Sequence, residues 1–274
     1  MNKTSRPSID AIILTHNEEE MIANCIETLR WCDHIWVVDQ QSTDSTVELA
    51  EKLGATVVPT KHTTFAEKRN AILSQITADW IVYIDADERV TPQLSKEILV
   101  QIETTQANAL SFWRDNMLYG VTMQHGGWPE KMARVFRKSN FGGWKGDIHE
   151  SPVFEGEAVL LHSSLIHLTH RNTIDGLRKT IAWTPMEAKL LADSKIAPVK
   201  PRTIFRKGMM EFLRRGFLKG GYKDGVEGVI EAMVQGINRM LVYIQVWELQ
   251  KQSPLSEKYQ AEERHIAQLW KNDV

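Results

Sequence analysis

The sequence predicts an α/β protein: a mostly parallel sheet flanked by helices, followed by a C-terminal helical extension. Three observations predict it. Short apolar runs alternate with segments of helical period along the N-terminal part, the pattern of a parallel sheet with helices on both faces. Polar residues gather where the apolar runs end, and ligands of such sheets bind at the carboxyl ends of the strands. Beyond Asn172 strand-like runs stop, and only helical periodicity remains. The expected division is therefore a domain over residues 1–171 and a helical region over 172–274.

The first apolar run, residues 9–14, reads as a strand. Thr15, His16 and Asn17 follow it, then a helix over 18–31 carried by Met21, Ile22, Cys25, Ile26 and Leu29. Asn17 suits its N-cap, and Glu18, Glu19 and Glu20 suit its positive end. Residues 34–38 form the second strand, closed by Asp39. The capping-rich stretch Ser42-Thr43-Asp44-Ser45-Thr46 opens a helix that Gly54 ends. A third strand spans 55–59, a helix with Lys68, Arg69 and Asn70 spans 65–76, and a buried fourth strand spans 79–84. A helix over 91–104, with Pro92 in its first turn, and an apolar strand over 109–114 come next. Glycine-rich turns are expected at 126–130 and 142–146, with strands at 132–137 and 158–170. Helices are expected at 173–192, 202–215, 223–249 and 257–270.

Bulk properties exclude several classes. A net charge of -2 gives no general attraction to nucleic acid. Two cysteines, Cys25 and Cys32, cannot build a disulfide framework and read as packing residues of a reducing compartment. The first ten residues carry no apolar leader, and no run of about 18 apolar residues exists to span a bilayer. The glycine fingerprint of dinucleotide sites and the phosphate loop of P-loop enzymes are both absent.

Asp85-Ala86-Asp87, at the tip of the fourth strand, is the strongest chemical signal. Burying such charges unpaired costs several kcal/mol in effective terms. They are therefore solvated at a sheet edge or hold something positive. A hard divalent cation carrying phosphate oxygens fits one or two carboxylates. Alone, the triplet is more often a turn or a cap.

Its neighbours sharpen the reading. Ile-Ile-Leu-Thr-His-Asn-Glu-Glu, Val-Val-Asp-Gln-Gln-Ser-Thr-Asp-Ser-Thr, Lys-Arg-Asn and Asp-Trp-Ile-Val-Tyr-Ile-Asp-Ala-Asp-Glu-Arg occur in that order. Together they closely resemble the family 2 inverting glycosyltransferases of the Rossmann-like GT-A fold, over about residues 8–170. The Glu-Glu after Thr-His-Asn, with His-Gly-Gly-Trp-Pro-Glu and Ile-His-Glu further on, resembles bacterial β-1,4-glucosyltransferases. Those act on the inner-core heptose of lipopolysaccharide or lipooligosaccharide. The resemblance implies a nucleotide-sugar half (1–104) and an acceptor half (105–171). It also implies a UDP-sugar donor, Mg²⁺ or Mn²⁺, and a lipid A-linked core oligosaccharide acceptor.

It implies residue roles as well. Thr15, His16 and Asn17 line the base pocket, with Glu18 starting the helix beside it. Asp39 accepts from uracil or ribose, and Ser42 and Asp44 shape that loop, although Asn17, Ser42 and Asp44 serve equally as caps. Lys68 and Arg69 face the diphosphate; one of these adjacent positions is expected to be solvated. Asp85 reaches the ribose or a metal-bound water, and Asp87 meets the cation, so both count as metal residues.

Inverting transfer needs one base within about 3 Å of the acceptor hydroxyl. In this family an acidic pair often follows a strand ending in Phe-Arg. Here Val135-Phe136-Arg137 is followed by His149-Glu150. Glu150 is the expected base, His149 a metal, phosphate or orienting group, and Glu130 the second candidate. Trp128 or Trp144 is the expected sugar platform, while His162, His167 and His170 read as structural. The rival readings are a polyprenyl-phosphate or other glycan acceptor, a nucleotidyltransferase and a non-catalytic sugar-nucleotide module. Thr-His-Asn-Glu-Glu-Glu after the first strand disfavours a nucleotidyltransferase, which carries a basic glycine-rich loop there.

Residues 195–224 hold Lys195, Lys200, Arg202, Arg206, Lys207, Arg214, Arg215, Lys219 and Lys223 against Glu211 and Asp224. Phe and Met residues lie between them. This reads as an interfacial membrane binder. The lipid A-linked acceptor that the resemblance implies would make that surface the anionic inner membrane and the location cytoplasmic and peripheral. The alternatives are a helix packed on its own catalytic domain and a basic face that meets acceptor phosphates.

Overall fold

The computed structural model describes residues 6–62, 64–146, 150–251 and 253–272. β1 (Ile9–Thr15), α1 (Ile22–Glu27), β2 (His34–Asp39), α2 (Thr46–Lys52), β3 (Thr56–Pro59), α3 (Phe65–Asn70) and β4 (Trp80–Asp85) alternate as expected. Next come β5 (Glu88–Val90), α4 (Pro92–Thr104), β6 (Ala109–Leu118), β7 (Val121–Thr122) and β8 (Glu130–Arg137). β9 (Phe141–Lys145), β10 (Ser151–Phe154), β11 (Ala158–Leu160) and β12 (Leu165–Leu168) complete the strands. Four helices follow: α5 (Thr173–Asp193), α6 (Pro201–Leu213), α7 (Gly225–Leu249) and α8 (Leu255–Asn272).

The main sheet runs β3-β2-β1-β4-β8-β6-β12-β5. β3, β2, β1 and β4 pair in parallel, while β8 lies antiparallel between β4 and β6. Strand side chains alternate between faces. Ile9, Ala11 and Ile13 of β1 and Trp80, Val82 and Ile84 of β4 meet residues of α1, α2 and α4 in one core. Ile12, Ile81 and Tyr83 point the other way and pack with Ala66, Phe136 and Trp144. Burial on both faces explains why β4 reads as an unbroken apolar run.

The chain forms two compact units. One holds the sheet through Met123 and resumes at Trp128–Arg171; the other joins Gln124–Gly127 to the helices from Asn172 onward. In the helical unit, Asn172 caps α5 by accepting from Asp175 N at 2.9 Å. α6 ends at Leu213, and the backbone continues as a π-turn over Arg214–Leu218. α6 and α7 run antiparallel and meet through small residues: Gly208 faces Met240 and Gly236, Gly216 faces Ala232, and Gly221 faces Gly228. A Cβ added to Gly228 would lie 2.0 Å from the Gly221 carbonyl oxygen, and backbone cannot rotate away. Gly228→Ala is therefore expected to lower stability by about 3 kcal/mol, the upper range of overpacking, read as an earlier urea midpoint.

Four expectations need correction. α1 is shorter than 18–31, and Asn17 does not cap it. Asn17 sits at φ 54°, where Asn is tolerated, and its Oδ1 instead accepts from Thr43 N at 2.8 Å. α3 stops at Asn70 and gives way to turns; its start is fixed by a capping box between Thr64 and Glu67. Residues 142–146 do not form a turn, because Phe141–Lys145 is a strand paired antiparallel with β10. Its glycines serve close approach: Gly143 has φ 88°, and a Cβ there would lie 2.8 Å from Asn70 Oδ1. The strand expected over 158–170 is two strands, β11 and β12, each parallel to β6.

Candidate active site

Parallel register brings the polar strand ends together: Thr15 lies beside Asp39, and Leu14 beside Asp85. The loops after β1 and β2 are then laced by hydrogen bonds. Asn17 N donates to Ser42 Oγ at 2.8 Å, and Ser42 donates to Asp39 through N (2.9 Å) and Oγ (2.5 Å). Glu18 N donates to Thr46 Oγ1, and Glu19 N to Asp44. Burial would raise the Asp44 carboxyl, but hydrogen bonds from Thr46 and Glu19 outweigh it and hold the group below its ordinary range. His16 Nδ1 lies 2.7 Å from the Gln40 carbonyl oxygen. The buried Thr15 Oγ1 has no protein partner among the described residues.

A second cluster centres on Asp85. Arg69 Nη2 donates to it at 3.0 Å and Arg134 Nη2 at 3.1 Å, while Arg69 Nε reaches Glu150 Oε1 at 3.3 Å. Burial would raise the Asp85 carboxyl, but the Arg69 and Arg134 guanidiniums override it and hold it at about 2. A base that weak does not take a proton near neutrality. Since the folded value lies below the ordinary 3.8, the stabilisation is complete above about pH 4 and is lost as pH falls through about 2. Urea midpoints are expected to drop across that window, and Asp85→Asn is expected to flatten the drop.

Both Lys68 and Arg69 are buried, which corrects the expectation that one is solvated. α3 is short and buried on more than one side, so adjacent positions both turn inward. Lys68 Nζ donates to Gln40 Oε1 at 2.6 Å, and burial pushes its ammonium below the usual lysine range. The Arg69 guanidinium lies 4.8 Å from the Trp144 ring centre. Trp144 itself is 6% exposed and packs edge-on against Tyr83 and Phe136, so it is a core residue rather than a sugar platform. Trp128 is half-buried, with its ring edge toward His170.

Asp87 has different company. Its Oδ2 lies 3.2 Å from His167 Nε2, and His167 Nδ1 lies 2.6 Å from Asn116 Oδ1. Asn116 Nδ2 donates to the Trp128 carbonyl at 2.6 Å, which turns its oxygen toward the imidazole. That pattern assigns the Nδ1 proton to the Asn116 bond and leaves Nε2 facing a carboxylate. Two acceptors at that distance call for a cation or a proton between them, and an oxygen–nitrogen donor pair fits a divalent ion. Among the described residues no three His, Cys, Asp or Glu groups converge on one point. Phosphate oxygens and water would complete such a shell.

Glu88, fully buried, accepts from Asp85 N at 2.9 Å and pairs with Arg114 at 3.3 Å. Arg114 also reaches Glu130 at 2.5 Å, so the second base candidate is held in a rim ion pair. His149 lies outside the described residues. Sequence reading misses Arg114, Asn116 and Arg134, and takes His167 as structural. β6, β8 and β12 bring these residues in from far along the chain, and no local spacing marks them.

A family model described as "Glycosyl transferase family 2" matches residues 10–164. The lipopolysaccharide core biosynthesis glycosyltransferase LpsC of Rhizobium meliloti (strain 1021) is 26% identical over 251 residues, covering 88% of this chain and 92% of that protein. An uncharacterized glycosyltransferase of Rickettsia conorii, RC0292, is 25% identical over 260 residues, covering 88% and 90%. Among solved structures, glucosyl-3-phosphoglycerate synthase of Mycobacterium tuberculosis, in complex with Mn²⁺, UDP and glucosyl-3-phosphoglycerate, matches with a TM-score of 0.36 and 22% identity. That match covers 40% of this chain and 44% of the synthase chain.

Proposed function

This chain belongs to glycosyl transferase family 2, a transferase family, and from that premise we propose a specific reaction: transfer of glucose from UDP-glucose, with inversion, to a heptose of the lipopolysaccharide or lipooligosaccharide inner core. The observation that carries the reading is the Asp87–His167 pair, its imidazole oriented by Asn116, at the carboxyl end of the sheet. The similarity to LpsC over most of both chains supports the choice of acceptor. The proposed place of work is the cytoplasmic face of the inner membrane.

In this reading the laced loops after β1 and β2 receive the nucleotide. Thr15, His16 and Asn17 line the base pocket, and Asp39, oriented by Ser42, accepts from uracil or ribose. Lys68, desolvated and donating to the neutral Gln40 amide, offers its ammonium to the diphosphate. Asp87 and His167 would hold Mg²⁺ or Mn²⁺, which when bound neutralises charge on the leaving diphosphate. Asp85 stays ionised between Arg69 and Arg134 and fixes those guanidiniums beside the site. Glu150, whose Oε1 accepts from Arg69 Nε, takes the proton of the acceptor hydroxyl. Glu130, tied to Arg114, is the weaker candidate for that role.

The test is thermal protection by sugar nucleotides with Mn²⁺ present, followed by transfer to core oligosaccharide lacking the glucose. UDP-glucose should protect best, and the core should gain one hexose with inverted anomeric configuration. Equal protection by all sugar nucleotides, or transfer only to an acceptor that extracts into organic solvent, would overturn the proposal.

A further inference from the structure

The helical unit presents an apolar face that its own core leaves uncovered. α6 meets α7 along Gly208, Gly216 and Gly236. Because the helices are antiparallel, residues clockwise of that seam on one lie on the same side as those anticlockwise on the other. Met209, Leu213 and Phe217 therefore share a side with Ile230, Met233 and Ile237, and all six are exposed. At the end of α6 the π-turn widens the helix and turns Phe217 and Leu218 outward, at 57% and 85% exposure. Monomeric proteins rarely leave a contiguous apolar patch of this extent uncovered.

Charge says what covers it. Arg202 and Arg206 are exposed at the N-terminal end of the same α6 face, and Lys219 and Lys223 flank the π-turn. Among the described residues, the acidic side chains between Arg202 and Asp224 are turned elsewhere. Glu211 is turned toward Arg214 and Arg215, and Asp224 toward His125. An apolar stripe bordered by Arg202, Arg206, Lys219 and Lys223 complements an anionic lipid leaflet, where side chains insert and cations meet phosphates. No helix of the described residues is long and apolar enough to cross a membrane. We propose that this α6–π-turn–α7 face docks in the plane of an anionic bilayer, with Phe217 and Leu218 as its inserted tip.

The test uses the full chain with vesicles that contain neither sugar donor nor acceptor, so its result stands apart from the transfer reaction. Sedimentation is compared for phosphatidylglycerol-containing vesicles and pure phosphatidylcholine. The chain should bind the first and bind the second weakly, with affinity falling as salt rises. F217S/L218S should weaken binding at least tenfold. R202E/R206E, which keeps the apolar tip, should weaken it by at least about 25-fold, since each cation lost contributes about fivefold and each glutamate adds repulsion. Both variants alter exposed positions and should melt like the parent. No binding to anionic vesicles, or binding that neither variant weakens, would overturn the proposal. A lipid-independent dimer that F217S/L218S dissociates, without vesicle binding, would assign the face to a second copy and overturn it as well.

Discussion

Asp87→Ala is expected to lower transfer by about a thousandfold with little loss of fold. In the proposed site the carboxylate would supply one of the two protein donors, beside His167 Nε2 at 3.2 Å. Losing an electrostatic partner of a developing negative charge typically costs about 10²–10³ in rate, and losing a cation ligand belongs at the upper end. The backbone contact at this position, Leu168 N to the Asp87 carbonyl at 2.8 Å, does not depend on the side chain. Stability should therefore change by no more than about 1 kcal/mol. The measurements are UDP release with purified core acceptor and, separately, Mn²⁺ binding by calorimetry. Full turnover by Asp87→Ala in the presence of EDTA would show that the pair does not serve the reaction. His167→Ala should weaken Mn²⁺ binding in the same assay, whereas a purely structural histidine would not.

Arg69→Met carries the largest expected cost to the fold, about 3–5 kcal/mol. Arg69 is almost wholly buried, and its guanidinium serves Asp85 and Glu150 at once while lying over Trp144. Methionine fills part of the volume but leaves Asp85 with Arg134 alone in a desolvated place. Breaking one member of a buried charged cluster strands the rest, which is why the expected loss exceeds that of a surface pair several-fold. Urea denaturation checks it directly. Arg69→Met/Asp85→Leu should recover part of the loss, because the stranded charge goes with its partner; no recovery would mean the cost is one of packing. Neither variant should retain full activity.

The elements most legible in the sequence were those fixed locally. β1, β2 and β4 announce themselves as apolar runs, and the C-terminal helices by periodicity, so the α/β class and its helical extension follow from pattern. Asp87 is legible because Asp-x-Asp at a strand tip is a local signal. What escapes is whatever topology brings from a distance. His167 lies on β12, 80 residues from Asp87, and only the pairing of β12 with β6 and β5 brings them face to face. Arg134 stands on β8 in a stretch whose alternation shows a strand but not which neighbour it serves. Trp144 shows the reverse error: a tryptophan among glycines resembles an exposed loop platform. Here Gly143 admits Asn70 to the backbone, and the ring becomes core.

Asn70 joins β9 to α3. Its amide group holds both the N–H and the carbonyl of Trp144, which ties the strand to the helix carrying Lys68 and Arg69. Gly143→Ala, at a left-handed position against Asn70, is expected to disturb that helix although it touches neither carboxylate cluster nor the imidazole. In a screen scored by product alone, such a lesion would be indistinguishable from the loss of a reacting group. A melting curve run beside each assay separates the two.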